Sequence, residues 1–202
     1  TFTLLVFHKG GMSTETPSNS ESDSTAPSFE AVSDSWQQSV DPGDHVFSSP
    51  AVSNETVYFG AGDNTVHALD LADGSPVWTA DLDPEEQPRR ARDQTNRIYS
   101  SPTVHNGSVY VGSDDHSIYA LDAAEGAVQW EFETEGRVRA QPTIAGERLL
   151  VSSLDFSLYA LNPEDVTLAW ELPTEGYVES APAVFDGISC FGCSDETVYA
   201  VN

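Results

Sequence analysis

Residues 101–130, SPTVHNGSVYVGSDDHSIYALDAAEGAVQW, decide the fold of this chain. The stretch contains four runs of residues typical of β-strands, separated by turns made of Asn, Gly, Asp or Ser. These turn residues readily adopt the backbone dihedral angles that a tight reversal needs. The stretch therefore predicts a meander of four antiparallel strands.

The same pattern occurs four times along the chain. When the copies are aligned on their first proline, five positions recur without a gap inside any copy. The recurring residues are Pro50, Pro102, Pro142 and Pro182; ten residues later, Gly60, Gly112, Ser152 and Gly192; thirteen later, Asp63, Asp115, Asp155 and Asp195; eighteen later, Ala68, Ala120, Ala160 and Ala200; and twenty-eight later, Trp78, Trp130 and Trp170. This repeat predicts an all-β fold, a β-propeller in which each copy is one four-stranded blade.

The end of each copy resembles a known family. The segments ALDLADGSPVW at 68–78 and ALDAAEGAVQW at 120–130 resemble the tryptophan-docking repeat of the PQQ-like, or quinoprotein, β-propellers. That family includes quinoprotein alcohol dehydrogenases and the outer-membrane assembly lipoprotein BamB. The third copy has Val166 in place of the glycine, so its turn is expected to be altered. In the family the tryptophan is wedged between adjacent blades, and the resemblance implies this docking role for Trp36, Trp78, Trp130 and Trp170.

The chain is predicted to have a leader and one folded domain. Residues 1–35 are rich in Ser, Thr, Glu, Asp and Pro, a composition that predicts a disordered acidic leader. Residues 36–202 are predicted to form the propeller. Its blades are expected at 49–81, 101–133, 141–173 and 181–202, the last completed by an outer strand from 34–39. Three arrangements stay open: a closed four-bladed ring, half of an eight-bladed ring completed by a homodimer, and a fragment of a longer propeller.

The charge of the chain excludes several classes of partner. Eight Lys and Arg residues face 33 Asp and Glu residues, which gives a formal net charge of −25. This balance argues against binding to nucleic acid or to an anionic membrane surface, because both require cationic contacts. No run approaches the roughly 18 apolar residues of a transmembrane helix. The single lysine, Lys9, and the acidic excess resemble proteins of halophilic archaea, and an extracytoplasmic or cell-surface location is favoured unless Met12 is the true start.

The turns between the second and third strands supply a ring of carboxylates. Asp63, Asp115, Asp155 and Asp195 occupy these turns, on the same face as the connections between blades. Such a ring is a weak candidate for a hard cation such as Ca²⁺. The favoured interpretation is that each Asp binds the backbone of its own turn, and no metal site is predicted.

Residues 83–97, DPEEQPRRARDQTNR, interrupt the repeat. This long connection contains four of the seven arginines, Arg89, Arg90, Arg92 and Arg97. Loops carry binding residues more often than scaffold strands do, and arginine can hold a carboxylate with two hydrogen bonds. These arginines are therefore the candidate partner site; the alternative is a solvated loop whose arginines pair with its own acidic residues.

No catalytic constellation emerges from the sequence. The dehydrogenases of the resembled family use adjacent cysteines beside the quinone, Ca²⁺ ligands and an Asp base. Here the two cysteines, Cys190 and Cys193, are not adjacent, and none of those residues can be aligned. The two cysteines are interpreted as structural, either as thiols or as a local disulfide. The sequence predicts a non-enzymatic scaffold that binds a protein partner without a cofactor. The alternative is a fragment or subunit of a PQQ-dependent dehydrogenase that uses PQQ and calcium.

Overall fold

The computed structural model describes residues 36–40, 45–82 and 97–202. Within these ranges the chain forms fifteen strands in four antiparallel sheets and contains no helix. The strands are β1 (Ala51–Ser53), β2 (Thr56–Gly60), β3 (Thr65–Asp70), β4 (Pro76–Asp81), β5 (Thr103–His105), β6 (Ser108–Gly112), β7 (Ser117–Asp122), β8 (Val128–Glu133), β9 (Thr143–Ala145), β10 (Arg148–Ser152), β11 (Ser157–Leu161), β12 (Leu168–Pro173), β13 (Ala183–Phe185), β14 (Ile188–Gly192) and β15 (Val198–Val201). In each sheet the strands lie side by side in chain order.

The predicted meander is confirmed, and its turns have the predicted chemistry. In the second sheet, β5 and β6 are joined by Asn106 and Gly107, whose φ angles are 49° and 79°. Two-residue hairpin loops with positive φ at both positions match the right-handed twist of the strands, and Asn-Gly is the preferred pair. The local sequence therefore sets the register, in which His105 lies opposite Ser108.

The turn before the fourth strand of each sheet depends on one left-handed residue. Gly74 and Gly126 occupy this position with φ angles of 71° and 73°. The expectation that Val166 alters the third turn is wrong, because Val166 adopts a φ of 60° and its amide donates to the Asn162 carbonyl, as that of Gly126 donates to Asp122. A β-branched residue is strained in the left-handed region of backbone dihedral angles. The turn hydrogen bond and the packing of Val166 in the cluster that includes Trp130 offset this strain.

The core lies between successive sheets. Each sheet packs one face against the opposite face of the next, so that Leu158 and Ala160 of the third sheet contact Val178 and Phe191 at the fourth. Strands covered on both faces are apolar on both, which explains the nearly continuous apolar runs of the sequence. The last face of the fourth sheet has no such cover among the described residues, and Phe185 is 85% exposed there.

The fourth sheet has three strands, and its edge is open in the part of the chain that the structure describes. β15 pairs only with β14, and residues 36–40 form no strand. The expected pairing of 34–39 with the fourth blade is therefore not seen in these ranges. Closure of the ring, within one chain or across a homodimer, stays a prediction, and the predicted leader at 1–35 lies outside the described residues.

No helix in the described ranges has the length and apolar character needed to span a membrane.

Candidate functional site

The indole groups predicted to dock between blades make one repeated contact. Each Nε1 donates a hydrogen bond to a carbonyl in the last turn of the following sheet. The bonds run from Trp36 to Leu71 at 2.9 Å, from Trp78 to Ala123 at 3.0 Å and from Trp130 to Pro163 at 3.0 Å. Trp170 occupies the same place in the third sheet, but no described residue accepts a hydrogen bond from its Nε1. These contacts join neighbouring sheets.

Two glycines allow this close approach. A Cβ atom on Gly126 would lie 2.6 Å from ring carbons of Trp78, and one on Gly74 would lie 2.5 Å from those of Trp36. Both distances are far below van der Waals contact, so the ring rests directly on the backbone of the turn. In the first two copies the glycine of the ALDxxxGxxxW pattern thus serves both the left-handed turn and the close approach of the tryptophan of the preceding blade, whereas the third copy accommodates Val166 at this position.

The repeated aspartates brace their own turns. In Asp115, Oδ1 accepts a hydrogen bond from the Ser117 amide at 2.9 Å and Oδ2 accepts one from the Tyr119 hydroxyl at 2.9 Å. Asp155 and Asp195 make the same pair of contacts with the residues two and four positions later. Asp63 instead accepts from the amide and hydroxyl of Thr65. Among the described residues, no group of three or more acidic, His or Cys side chains is arranged to hold a metal.

Burial decides the titration of these pairs. Burial raises the pKa of Asp115 above its ordinary value, although its hydrogen bonds oppose the shift. In the exposed fourth turn, the hydrogen bond from Tyr199 dominates and lowers the pKa of Asp195 to about 2. Burial, followed by the neighbouring Asp, raises the pKa of Tyr119 and of Tyr159. These tyrosines stay neutral near neutral pH and serve as hydrogen-bond donors to the turns.

The connections between sheets are fixed by two repeated backbone hydrogen bonds. In the connection to the second sheet, the Ile98 amide donates to the Ala61 carbonyl of the preceding sheet at 3.2 Å, and the Asp114 amide donates to the Arg97 carbonyl at 3.0 Å. The next two connections repeat both bonds, from Val138 to Ser113 and Leu154 to Arg137, and from Val178 to Ser153 and Ser194 to Tyr177. Each connection is therefore held between the turns of two adjacent sheets.

On this fixed backbone, side chains alternate between the core and the surface. The residues four and two positions before each aligned proline are buried or half-buried and chemically alike: Val46, Ile98, Val138 and Val178, and Ser48, Ser100, Ala140 and Ser180. The residues five and three positions before it point outward and differ from one connection to the next. We call these eight positions the connection surface; they are His45, Phe47, Arg97, Tyr99, Arg137, Arg139, Tyr177 and Glu179.

Side chains of the connection surface contact one another from one connection to the next. The Phe47 and Tyr99 ring centroids are 4.7 Å apart, and the His45 ring meets Phe47 edge-on at 5.4 Å. The guanidinium carbon of Arg139 lies 4.7 Å from the centroid of the Tyr99 ring, within the range of a cation–π interaction. Three successive connections thus form one continuous aromatic and cationic patch.

A buried carboxylate orients the arginines of this patch. Asp114 Oδ1 and Oδ2 accept hydrogen bonds from Arg139 Nε and Nη2, each at 2.7 Å, and Arg137 Nε lies 3.8 Å from Oδ2. The Asp114 side chain is 2% exposed, whereas those of Arg139 and Arg137 are 32% and 37% exposed. The hydrogen bonds that Arg139 donates to Asp114 raise the pKa of Arg139. Arg97 Nη1 donates to the Tyr99 hydroxyl at 3.3 Å.

The sequence-based candidate site overlaps this patch in one residue. Arg97 lies on the connection surface, while Arg89, Arg90 and Arg92 lie outside the described residues. Tyr99, Asp114, Arg137 and Arg139 were not singled out. The alignment on the prolines could have identified Tyr99, Arg137 and Arg139. In each copy the residues four and two positions before the proline are alike, whereas the residues five and three positions before it vary.

The two cysteines belong to the fourth sheet, Cys190 within β14 and Cys193 directly after it. Cys190 and Cys193 are both free thiols, and Cys190 is exposed on the uncovered face of the fourth sheet. The aspartates that might ligate calcium are engaged with amides and hydroxyls of their own turns.

Comparison with known proteins identifies the family. The family model described as outer membrane protein assembly factor BamB (PQQ_2) matches residues 32–104 and 62–202. The chain belongs to this family. A solved BamB structure from Moraxella catarrhalis superposes with a TM-score of 0.70 at 24% identity, over 85% of this chain and 52% of that one. The BamB-like propeller architecture predicted from the repeat is therefore confirmed.

Curated relatives of two kinds match half of this BamB-family chain. BamB of Escherichia coli K12 is 31% identical over 104 residues, which are 50% of this chain and 26% of the relative. The 1-butanol dehydrogenase (cytochrome c) of Thauera butanivorans is 36% identical over 101 residues, which are 49% of this chain and 14% of the relative. The match thus spans about a quarter or less of the length of these relatives.

Proposed function

We propose that this chain is a non-enzymatic scaffold whose connection surface binds a protein partner. The observation that supports this most directly is the contrast between backbone and side chains in the connections. The same hydrogen bonds fix three successive connections, yet the outward side chains change from aromatic to cationic to acidic. A fold alone needs no such variation, whereas a binding surface on a rigid scaffold does.

The composition of the surface suits a protein partner. Arg and Tyr are enriched among the residues that dominate protein–protein binding energy, and four of the eight positions are Arg or aromatic residues in mutual contact. BamB relatives are described as outer membrane protein assembly factors, a role that supports protein contacts as the function of this scaffold. We also propose that the chain works in a saline medium, because salt screens the self-repulsion of a net charge of −25.

Site-specific photo-cross-linking in the cells that make the protein tests this proposal. A photoreactive phenylalanine analogue replaces Tyr177 on the connection surface or, as the control, Leu168 on an outer strand. The two side chains are matched in exposure, at 50% and 47%. We expect a discrete cross-linked partner from position 177 and none from position 168. Identical products at both positions, or none at either, would refute the proposed surface.

The alternative function is part of a PQQ-dependent dehydrogenase. Its support is the match to 1-butanol dehydrogenase over half of this chain. When the chain is mixed with PQQ, Ca²⁺, a primary alcohol and an electron-accepting dye, we expect no quinone absorbance to remain after dialysis and no dye reduction. Retained quinone together with dye reduction would favour the dehydrogenase.

A further inference from the structure

We infer that the connection surface binds an extended acidic peptide segment of the partner. This inference rests on the proposed function and names the chemistry of its ligand. The first observation is where the positive charge lies. The described residues contain four arginines and no lysine, and three of the four, Arg97, Arg137 and Arg139, are on the connection surface. In a chain with a net charge of −25, this concentration runs against the average of the whole molecule.

The second observation is that, among the residues that the structure describes, the arginines of the surface outnumber the carboxylates that contact them. Arg137 and Arg139 share one buried carboxylate, that of Asp114, and Arg139 occupies both of its oxygens, whereas the Arg97 guanidinium donates to the Tyr99 hydroxyl. Glu179 is the acidic residue of the surface itself, and it interacts electrostatically with Arg139. Within the described ranges, the three arginines of the surface are thus accompanied by two carboxylates, those of Asp114 and Glu179. The Arg137 side chain is more than a third exposed, and its Nε lies 3.8 Å from Asp114 Oδ2, longer than a hydrogen bond. Its guanidinium can therefore donate to a further carboxylate from its present position.

The third observation is that aromatic groups flank the arginines on both sides. Phe47 lies against Tyr99 on one side, and on the other the exposed Tyr177 ring lies 4.9 Å from that of Phe156. A single small anion would not cover these aromatic rings. A peptide that alternates acidic with aromatic or aliphatic residues satisfies both parts, because its carboxylates meet the arginines and its apolar side chains cover the rings.

The fourth observation concerns shape. The eight positions belong to four successive connections, so an extended ligand can contact several of them at once. An extended peptide of about 12 residues spans ~40 Å. Because backbone hydrogen bonds already fix three of the four connections, those at 97–101, 137–141 and 177–181, binding orders the peptide more than the scaffold.

Peptide selection on the full chain tests the inference. A displayed library of random peptides of about 12 residues is selected on the immobilised chain in molar NaCl. We expect the recovered peptides to be enriched in Asp and Glu next to aromatic or aliphatic residues. One such peptide is then synthesised with a fluorescent label, and its Kd is measured by anisotropy. Failure to recover binders, or recovery of peptides without acidic enrichment, would overturn the inference.

Three variants then locate the binding site. In the double variant Arg97→Gln and Arg137→Gln, we expect the Kd of the labelled peptide to rise at least about tenfold, because each lost charge-assisted contact weakens binding by about that factor. Arg148→Gln removes the fourth described arginine, an exposed residue of β10 away from this surface, and should leave Kd within about twofold. A double Arg→Lys variant keeps the charges but loses the paired hydrogen bonds, so an intermediate Kd is expected.

The melting curves of all three variants show whether each is folded. A Kd unchanged in the glutamine double variant, or raised equally by Arg148→Gln, would contradict the assigned site. The two proposals fail separately. A cross-linked partner at position 177 without selection of acidic peptides would support the protein-binding scaffold and contradict the acidic ligand. Selection of acidic peptides without a cross-linked partner would support the acidic ligand and contradict the partner proposed for the cell.

Discussion

Replacing Trp130 with alanine tests whether the docking tryptophans hold the blades together. The Trp130 ring lies over β7, where Trp130 is paired with Ala120, and its centroid is 5.8 Å from that of Tyr110. Its Nε1 donates to the Pro163 carbonyl of the following sheet, and the ring packs in the cluster between the second and third sheets. The substitution removes the hydrogen bond and most of this contact at once.

The structure sets the size of the effect. Truncating a large aromatic residue in a core to alanine typically costs about 3–5 kcal/mol in the free energy of unfolding. Of this, the hydrogen bond accounts for about 1 kcal/mol. Small domains have unfolding free energies of about 5–15 kcal/mol, so the loss is large enough to measure without ambiguity.

Trp170 offers a matched control within the chain. It has the same register, opposite Ala160, and packs between the third and fourth sheets. Its Nε1, however, has no hydrogen-bond acceptor among the described residues, whereas that of Trp130 donates to the Pro163 carbonyl. Trp170→Ala in this 202-residue chain is therefore expected to cost about 1–2 kcal/mol less than Trp130→Ala.

Urea unfolding in molar salt, followed by circular dichroism, measures both variants without relying on tryptophan fluorescence. Trp130→Phe is a third variant, which keeps most of the ring and removes only the N–H donor. A loss below about 1 kcal/mol for Trp130→Ala would refute the docking role, because that is no more than a typical surface substitution costs. Equal losses for Trp130→Ala and Trp170→Ala would refute the contribution of the turn in the next blade.

Three further predictions follow from the same contacts. Gly126→Ala should lower the free energy of unfolding by about 1–3 kcal/mol, since its Cβ would overlap Trp78 and φ is 73°; an unchanged urea midpoint would contradict this. Burial raises the pKa of Tyr119 and Tyr159 above the value of about 10 in the unfolded chain, so the stability that these tyrosines contribute is complete below about pH 10 and is lost as pH rises further. Tyr119→Phe should reduce that alkaline loss of stability. Equal urea midpoints of the native chain at about pH 9 and pH 11 would show the prediction to be wrong. Finally, the free energy of unfolding should increase between about 0.01 M and 1 M NaCl, where the screening length falls from ~30 Å to ~3 Å, and circular dichroism and urea midpoints independent of salt would exclude the halophilic interpretation.

The scaffold could be predicted because the repeat determines it locally. Each strand is short, each turn contains its own turn-forming residues, and the four copies align without gaps. A strand boundary that is ambiguous in one copy can therefore be assigned from the other copies. Val166 shows the limit of this reasoning. A missing glycine predicted an altered turn, but packing and hydrogen bonds hold valine in the left-handed conformation, and only the folded structure reveals those neighbours.

The candidate site could be predicted only in part, because its residues come together from separate copies. Asp114 follows the second strand of one blade, whereas Arg139 precedes the first strand of the next, 25 residues later. Within either copy alone, each looks like a polar residue in a surface turn. The cation–π contact between Tyr99 and Arg139 likewise joins two connections. The long arginine-rich segment at 83–97 differs from the rest of the sequence in composition and was therefore predicted as a partner site. It ends at Arg97, the one residue that it shares with the connection surface.

A repeat restricts the places where its copies can differ. Positions that pack between blades must stay alike, because each must fit the same neighbours; Ala68, Ala120 and Ala160 are all fully buried. Turn residues must stay alike because they set the register. The connection surface is free of both constraints, since its backbone is held by amide hydrogen bonds that any side chain leaves intact. Asp114 supports this view, because its place holds Gly62, Leu154 and Ser194 in the other copies, and the carboxylate appears only where two arginines need it. Chemistry that departs from the repeat without disturbing the scaffold is where a propeller of this kind acquires a specific partner.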